Sequence, residues 1–100
     1  MAITIKTLEE IEILKEGGKR HAFILSHVKK MVAPGVSTLD LENEARRLIE
    51  EGGDIAAFLN YKPYGAKRAF PAALCVSVNE EIIHGIPNEN PKVLKSGDIV

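Results

Sequence analysis

Asn79-Glu80-Glu81-Ile82-Ile83-His84-Gly85-Ile86-Pro87 is the stretch whose reading decides the fold. Asn79-Glu80 has turn chemistry, the following residues are apolar and β-branched, and Gly85-Ile86-Pro87 ends the run beside a histidine. Immediately upstream, Leu74-Cys75-Val76-Ser77-Val78 alternates as a strand does. The two segments are expected to pair as an antiparallel hairpin. With Asn79-Glu80 as the loop, Val78 faces Glu81, Cys75 lies across from His84, and Val76 lies across from Ile83 on the opposite face. Ser77 and Ile82 join the face carrying the thiol and the imidazole.

That face has two candidate readings. A cysteine–histidine pair suggests nucleophilic hydrolysis, but a reactive thiol needs a neighbouring cation and oxyanion donors. Cys75 sits among apolar residues, so a small half-buried side chain filling space is the better reading. His84 is either a core histidine satisfied by backbone groups or a ligand-side residue at a strand end, where sites often open. Glu81 and His84 have the spacing of a helical Glu-x-x-His metal motif. On a strand those side chains point to opposite faces, and the local metal reading fails.

Beyond the hairpin, Asn88-Glu89-Asn90-Pro91 has turn chemistry, and Ser96-Gly97-Asp98 leads into a strand expected to begin at Ile99. Asp98 reads as a turn residue. Before the hairpin, Asn60 to Pro71 is expected to be a loop, since it holds prolines and a glycine. Its aromatics Tyr61, Tyr64 and Phe70 argue against a plain solvated tether. Ile55 to Leu59 reads as a short strand or an extended lead-in.

Two helices precede this region. Thr7 with Glu10 forms a capping-box pattern, and Ile11, Leu14, Gly18, Ala22, Leu25 and Val32 recur at helical spacing. His21 and Val28 border that stripe, and His27 falls opposite it as a solvated residue. Gly17-Gly18 weakens the helix by roughly 1 kcal/mol per glycine relative to alanine, and close packing is the simplest reason to keep the pair. Pro34-Gly35 stops this helix. Ser37-Thr38 begins the next, with Leu41, Ala45, Leu48 and Ile49 as its buried stripe. Asp40, Glu42 and Glu44 precede Arg46 and Arg47, as the helix dipole favours. Gly52-Gly53 ends it through a left-handed residue.

Composition narrows the class. The chain has 100 residues, 45% hydrophobic and 27% charged, with net charge −1. That describes one globular unit or part of one, without the basic field that captures nucleic acid or an anionic membrane. Cys75 is the only cysteine, which excludes an internal disulfide and fits a reducing compartment. The N-terminus lacks the basic and apolar regions of a secretion signal, and no apolar run approaches a membrane span. A cytoplasmic location is expected. No His-Glu-x-x-His, Cys-x-x-Cys or Walker-type loop occurs.

The segment from Cys75 to Pro87, followed by Leu94 to Val100, resembles type I methionine aminopeptidase. Ile3 to Lys6, the helix with Gly17-Gly18, and Pro34-Gly35-Val36-Ser37-Thr38 extend the resemblance over nearly the whole chain. It implies an α/β pita-bread fold, here its N-terminal part, with two helices packed on an antiparallel sheet. Residues 1–100 would then form the N-terminal part of a single catalytic domain. The implied activity is metal-dependent removal of the initiator methionine from nascent polypeptides whose second residue is small. Two divalent metal ions would be held by aspartate, histidine and glutamate ligands expected beyond Val100, leaving no metal ligand in this chain and the 100 residues alone inactive. His84 matches the family's substrate-contacting histidine, in a transition-state role. Tyr61, Tyr64, Phe58 and Cys75 fall at methionine-pocket positions, although Tyr61 and Tyr64 also read as loop anchors. Residues 65–74 are longer than the familiar pattern, and Phe58 is larger than the residue often found at its place. The expected partners are nascent polypeptide N-termini, at the ribosome where they emerge, with the full-length enzyme a monomer. The competing class is a non-catalytic pita-bread binding protein that has lost its ligands.

Overall fold

A computed structural model describes residues 2–100. Helix α1 spans Leu8–Met31 and helix α2 spans Thr38–Glu51. Both begin with the reciprocal caps their sequences encode. Thr7 Oγ1 accepts from the Glu10 N–H while Glu10 Oε1 accepts from the Thr7 N–H, and Ser37 and Asp40 exchange equivalent bonds at α2. Each box satisfies backbone donors that a helix start leaves without partners. Gly53, at φ +75, supplies the left-handed residue after α2.

The core lies where the second half of α1 crosses α2. Val28, Leu41 and Ala45 are buried together with Val76, Val78 and Leu94, and Ile24, Met31, Val36 and Leu74 pack around them. Of the expected apolar stripe of α2, Leu41, Ala45 and Leu48 are buried and Ile49 is half-buried. The stripe of α1 differs from expectation. Its contact face runs through Ile24, Val28 and Met31, whereas Leu14 and Leu25 are 58% and 56% exposed. The helix carries apolar residues on two sides, and periodicity could not say which one α2 covers.

Three smaller expectations change with it. His27 lies on the α2-facing side, its Nε2 3.0 Å from Glu44 Oε1, while His21 is exposed. A Cβ built on Gly17 or Gly18 would meet nothing within 4 Å, so close packing does not explain the glycine pair among the described residues. Ile55 to Leu59 forms no strand; Ile55 is 93% exposed and the chain turns at Leu59-Asn60.

Beyond α2 the chain is held by discrete ties. Among the described residues no strand forms, and the one isolated antiparallel bridge joins Ser37 to Val93. Thr38 Oγ1 donates to the Pro87 carbonyl at 3.0 Å and accepts from the Lys92 N–H at 3.0 Å. Asp98 is the expected turn residue: its carboxylate accepts from the Lys95 N–H and from Asn79 Nδ2. Asn79 in turn bonds Ile99 through both backbone and side chain.

The hairpin turn falls at Asn79-Glu80, closed by the Glu81 N–H to the Val78 carbonyl at 3.1 Å. The register beyond it differs from expectation. Val76 donates to the Gly85 carbonyl at 2.9 Å, so Gly85 lies opposite Val76 in place of Ile83. A bend at Ile83 and a left-handed His84, at φ 57, absorb the offset. In this register Cys75 lies opposite Ile86, no longer directly across from His84. A bulge of this kind re-aims a side chain, and nothing in the apolar pattern announces it.

Candidate functional site

A cleft of about 640 Å³ opens between the Asn60–Pro71 loop and the hairpin. Phe58, Tyr61 and Phe70 line it from the loop side; Cys75, His84 and Ile86 line it from the hairpin side. Its size is typical of a small-molecule site, and its walls are largely apolar with few polar groups, as such sites commonly are.

The loop wall is built by its own backbone. Asn60, left-handed at φ 64, turns the chain so that the Tyr61 N–H reaches the Phe58 carbonyl at 3.0 Å. Asn60 then donates to the Phe70 carbonyl and Phe70 to the Tyr61 carbonyl, both at 2.8 Å, closing the loop at its neck. Phe58 and Phe70 meet edge to face, with centroids 5.3 Å apart and planes at 80°. This geometry is the favoured one for aromatic pairs.

The far wall hangs from α2. Glu42 is 1% exposed, and its carboxylate accepts from the Ala73 N–H at 2.8 Å and the Leu74 N–H at 2.9 Å. Arg46 pairs with Glu42 and donates through Nη2 to the Pro71 carbonyl at 2.8 Å. Asn88 Nδ2 donates to the same carbonyl at 3.0 Å. Buried charge survives only when paired and hydrogen-bonded, and here that requirement fixes residues 71–74 to the helix. Cys75 follows directly.

His84 and Gly85 form a unit. His84 holds a left-handed conformation that few non-glycine residues adopt, though histidine is among the more tolerant. Gly85 sits so close to the other arm that a built Cβ would lie 2.0 Å from the Val76 oxygen. The Gly85 N–H also donates to Ser77 Oγ at 3.2 Å. The arms are therefore pinned beside His84, and its ring is presented to the cleft.

Four of the sequence-derived candidates, Phe58, Tyr61, Cys75 and His84, thus line one cleft. Tyr64 does not join them. The Pro63–Ala66 turn, with Gly65 at φ +84, leaves Tyr64 at the loop apex and 109% exposed. Cys75 is exposed on the cleft wall, not half-buried as its apolar neighbours suggest. Partial desolvation still pushes its thiol pKa up, and the Glu42 carboxylate adds to the rise, the opposite of what activates a thiolate. Glu81 faces away from the cleft, accepting from the Val78 N–H at 3.0 Å with Lys92 Nζ 3.3 Å off. Its pKa is lowered by the backbone bond first and by Lys92 next. Glu42 and Ile86 also build the site without having been candidates for it, and Phe70, expected as a loop aromatic, joins the cleft wall. For Glu42 a signal existed, a carboxylate on the apolar face beside Leu41 and Ala45.

Among the described residues no group of three or more His, Cys, Asp and Glu side chains is placed to hold a metal ion. No helix among them is long and apolar enough to cross a membrane.

A helix pair leads to a left-handed histidine that lines an aromatic cleft, and comparison with known proteins gives the class. The chain belongs to metallopeptidase family M24, whose model matches residues 12–100. Within that family it is similar to methionine aminopeptidases. It is 45% identical over 100 residues to the methionine aminopeptidase of Aquifex aeolicus, covering all of this chain and 38% of that protein. It is 41% identical over 98 residues to methionine aminopeptidase 1 of Bacillus subtilis, covering 36% of it. The crystal structure of the Thermotoga maritima methionine aminopeptidase superposes with a TM-score of 0.82 at 41% identity, over 98% of this chain and 36% of that one. The chain therefore spans somewhat over a third of the length of these relatives.

Proposed function

We propose that residues 1–100 are the N-terminal part of a single type I methionine aminopeptidase catalytic domain. The full-length protein would remove the initiator methionine from nascent polypeptides. The convergence of Phe58, Tyr61, Cys75 and His84 on one cleft carries this reading. A thioether gains about 0.3–1.5 kcal/mol beside an aromatic ring, and Phe58, Tyr61 and Phe70 offer that surface to a methionine side chain. The exposed position of Tyr64 leaves it outside that surface.

His84 works on the substrate side. At the cleft mouth its imidazole reaches a bound peptide near the scissile amide, where a hydrogen bond stabilises the charge that develops during cleavage. The raised Cys75 pKa argues against a thiolate mechanism and supports a wall role for that residue.

The family assignment supports divalent metal use, and we take the number as two. The described residues do not supply such a site. Its ligands are assigned to the part of the relatives' length that this chain does not span. In that full-length protein residues 74–78, 81–86 and 99–100 would join an antiparallel sheet of a pita-bread fold. The protein would act in the cytoplasm as a monomer, on N-termini emerging from the ribosome.

The test is methionine release from Met-Ala-Ser by the metal-loaded full-length protein. Turnover well above a metal-only blank is expected. Its absence contradicts the reading. The 100-residue polypeptide alone should release none.

A further inference from the structure

The Asn60–Pro71 loop is tied to the rest of the molecule at a place the expected chemistry does not use. Arg68 donates through Nη1 to Glu89 Oε1 at 2.6 Å and through Nη2 to Glu89 Oε2 at 2.8 Å. The pair is bidentate and bridges residues 21 apart in sequence. Such fork-to-fork pairing fixes orientation as well as distance. Arg68 lines the aromatic cleft, whereas Glu89 lines a neighbouring cleft of about 360 Å³, and Ile86 lines both. The ion pair thus sits on the ridge between them. A second tie runs alongside, from Asn88 Nδ2 to the Pro71 carbonyl.

We infer that Arg68 and Glu89 form a clasp that positions the loop carrying Tyr61 and Phe70 over the substrate cleft, so that they set affinity for the methionyl peptide without taking part in its cleavage. This rests on the reading of the cleft as the methionine pocket. The loop is fixed at its neck by the Asn60–Phe70 and Phe70–Tyr61 backbone bonds, but among the described residues its middle, 62–67, has only the local turn from Ala66 to Pro63. Arg68 is where that free span rejoins the body. The electrostatics agree: hydrogen bonding to Arg68 holds the Glu89 carboxyl below its ordinary pKa. Both side chains remain partly solvated, so replacing either empties no core.

The experiment is steady-state kinetics on the metal-loaded full-length protein with Met-Ala-Ser, comparing wild type with Arg68→Ala, Glu89→Ala and the double variant. Each single change should raise KM roughly fivefold with kcat nearly unchanged, the pattern of lost uniform binding. The double variant should be no worse than either single one, since both remove the same contact. Added salt should raise KM in the wild type and leave it nearly flat in the variants. An unchanged KM, or effects that multiply in the double variant, overturns the clasp. Amide exchange at Phe70 gives a readout independent of turnover. Its protection should fall in Arg68→Ala, and unchanged protection overturns the clasp even if the kinetics shift. A wild-type protein that releases no methionine would instead overturn the pocket reading on which the clasp rests.

Discussion

At Gly85 one methyl group decides whether the hairpin can close. A Cβ there would lie 2.0 Å from the Val76 oxygen and 2.7 Å from its carbonyl carbon, both backbone atoms that cannot swing away. Gly85→Ala should therefore cost about 1–3 kcal/mol, the range for forced overpacking, and displace His84. Urea unfolding of the full-length protein measures the first and loss of turnover the second. Cys75 offers a complementary check. Although the side chain is exposed, its folded pKa lies above the ordinary 9.0, because partial desolvation and then the nearby Glu42 carboxylate disfavour the thiolate. That stabilisation is present below the unfolded pKa and is lost as pH rises through the folded value. Iodoacetamide should label Cys75 more slowly in the folded protein than in the denatured chain at pH 8. The His84-Gly85 pair was legible as the end of a strand near a site. Its left-handed backbone and the shifted register were not, because both follow from a close approach between arms that no local pattern encodes.

At the scale of elements, α2 anchors one wall of the site through bonds from Glu42 and Arg46 to residues 71, 73 and 74. Glu42→Gln keeps the shape but removes the charge from a carboxylate that serves Ala73, Leu74 and Arg46. It should cost about 2 kcal/mol, within the range for weakening hydrogen bonds to a buried charged group. Acid should act on the exposed ties. Asp54 is held below its ordinary 3.8 by hydrogen bonding to Arg20, and Glu44 below 4.5 by Arg47. Asp98 is lowered by Asn79 and then Lys95. Each contributes stability above its ordinary pKa that is lost as pH falls through the depressed folded value. Tm should decline from about pH 5 downward, and Arg20→Gln should flatten part of that decline. The helix caps and the α2 stripe were readable because they depend on neighbours in sequence. The α1 face was not, since choosing between two apolar sides takes knowledge of what packs there.

For the whole molecule, the chain spans about 36–38% of its relatives' length and carries the substrate-side wall of the proposed site. Family membership was legible from the run around His84 together with the segments flanking it. The cleft was half legible. Phe58, Tyr61, Cys75 and His84 fall together, whereas Tyr64 stands out in solvent and Phe70 takes a place in the wall. The neck bonds of the loop and the Arg68–Glu89 pair were not legible, because each joins residues that no local pattern links. The central claim is that His84 acts on the substrate and holds no metal. Its most direct test is His84→Ala in the full-length protein, with kcat on Met-Ala-Ser and bound metal measured on the same preparation. kcat should fall on the order of 10²–10³ with metal content unchanged. Loss of metal, or turnover equal to wild type, would contradict the claim.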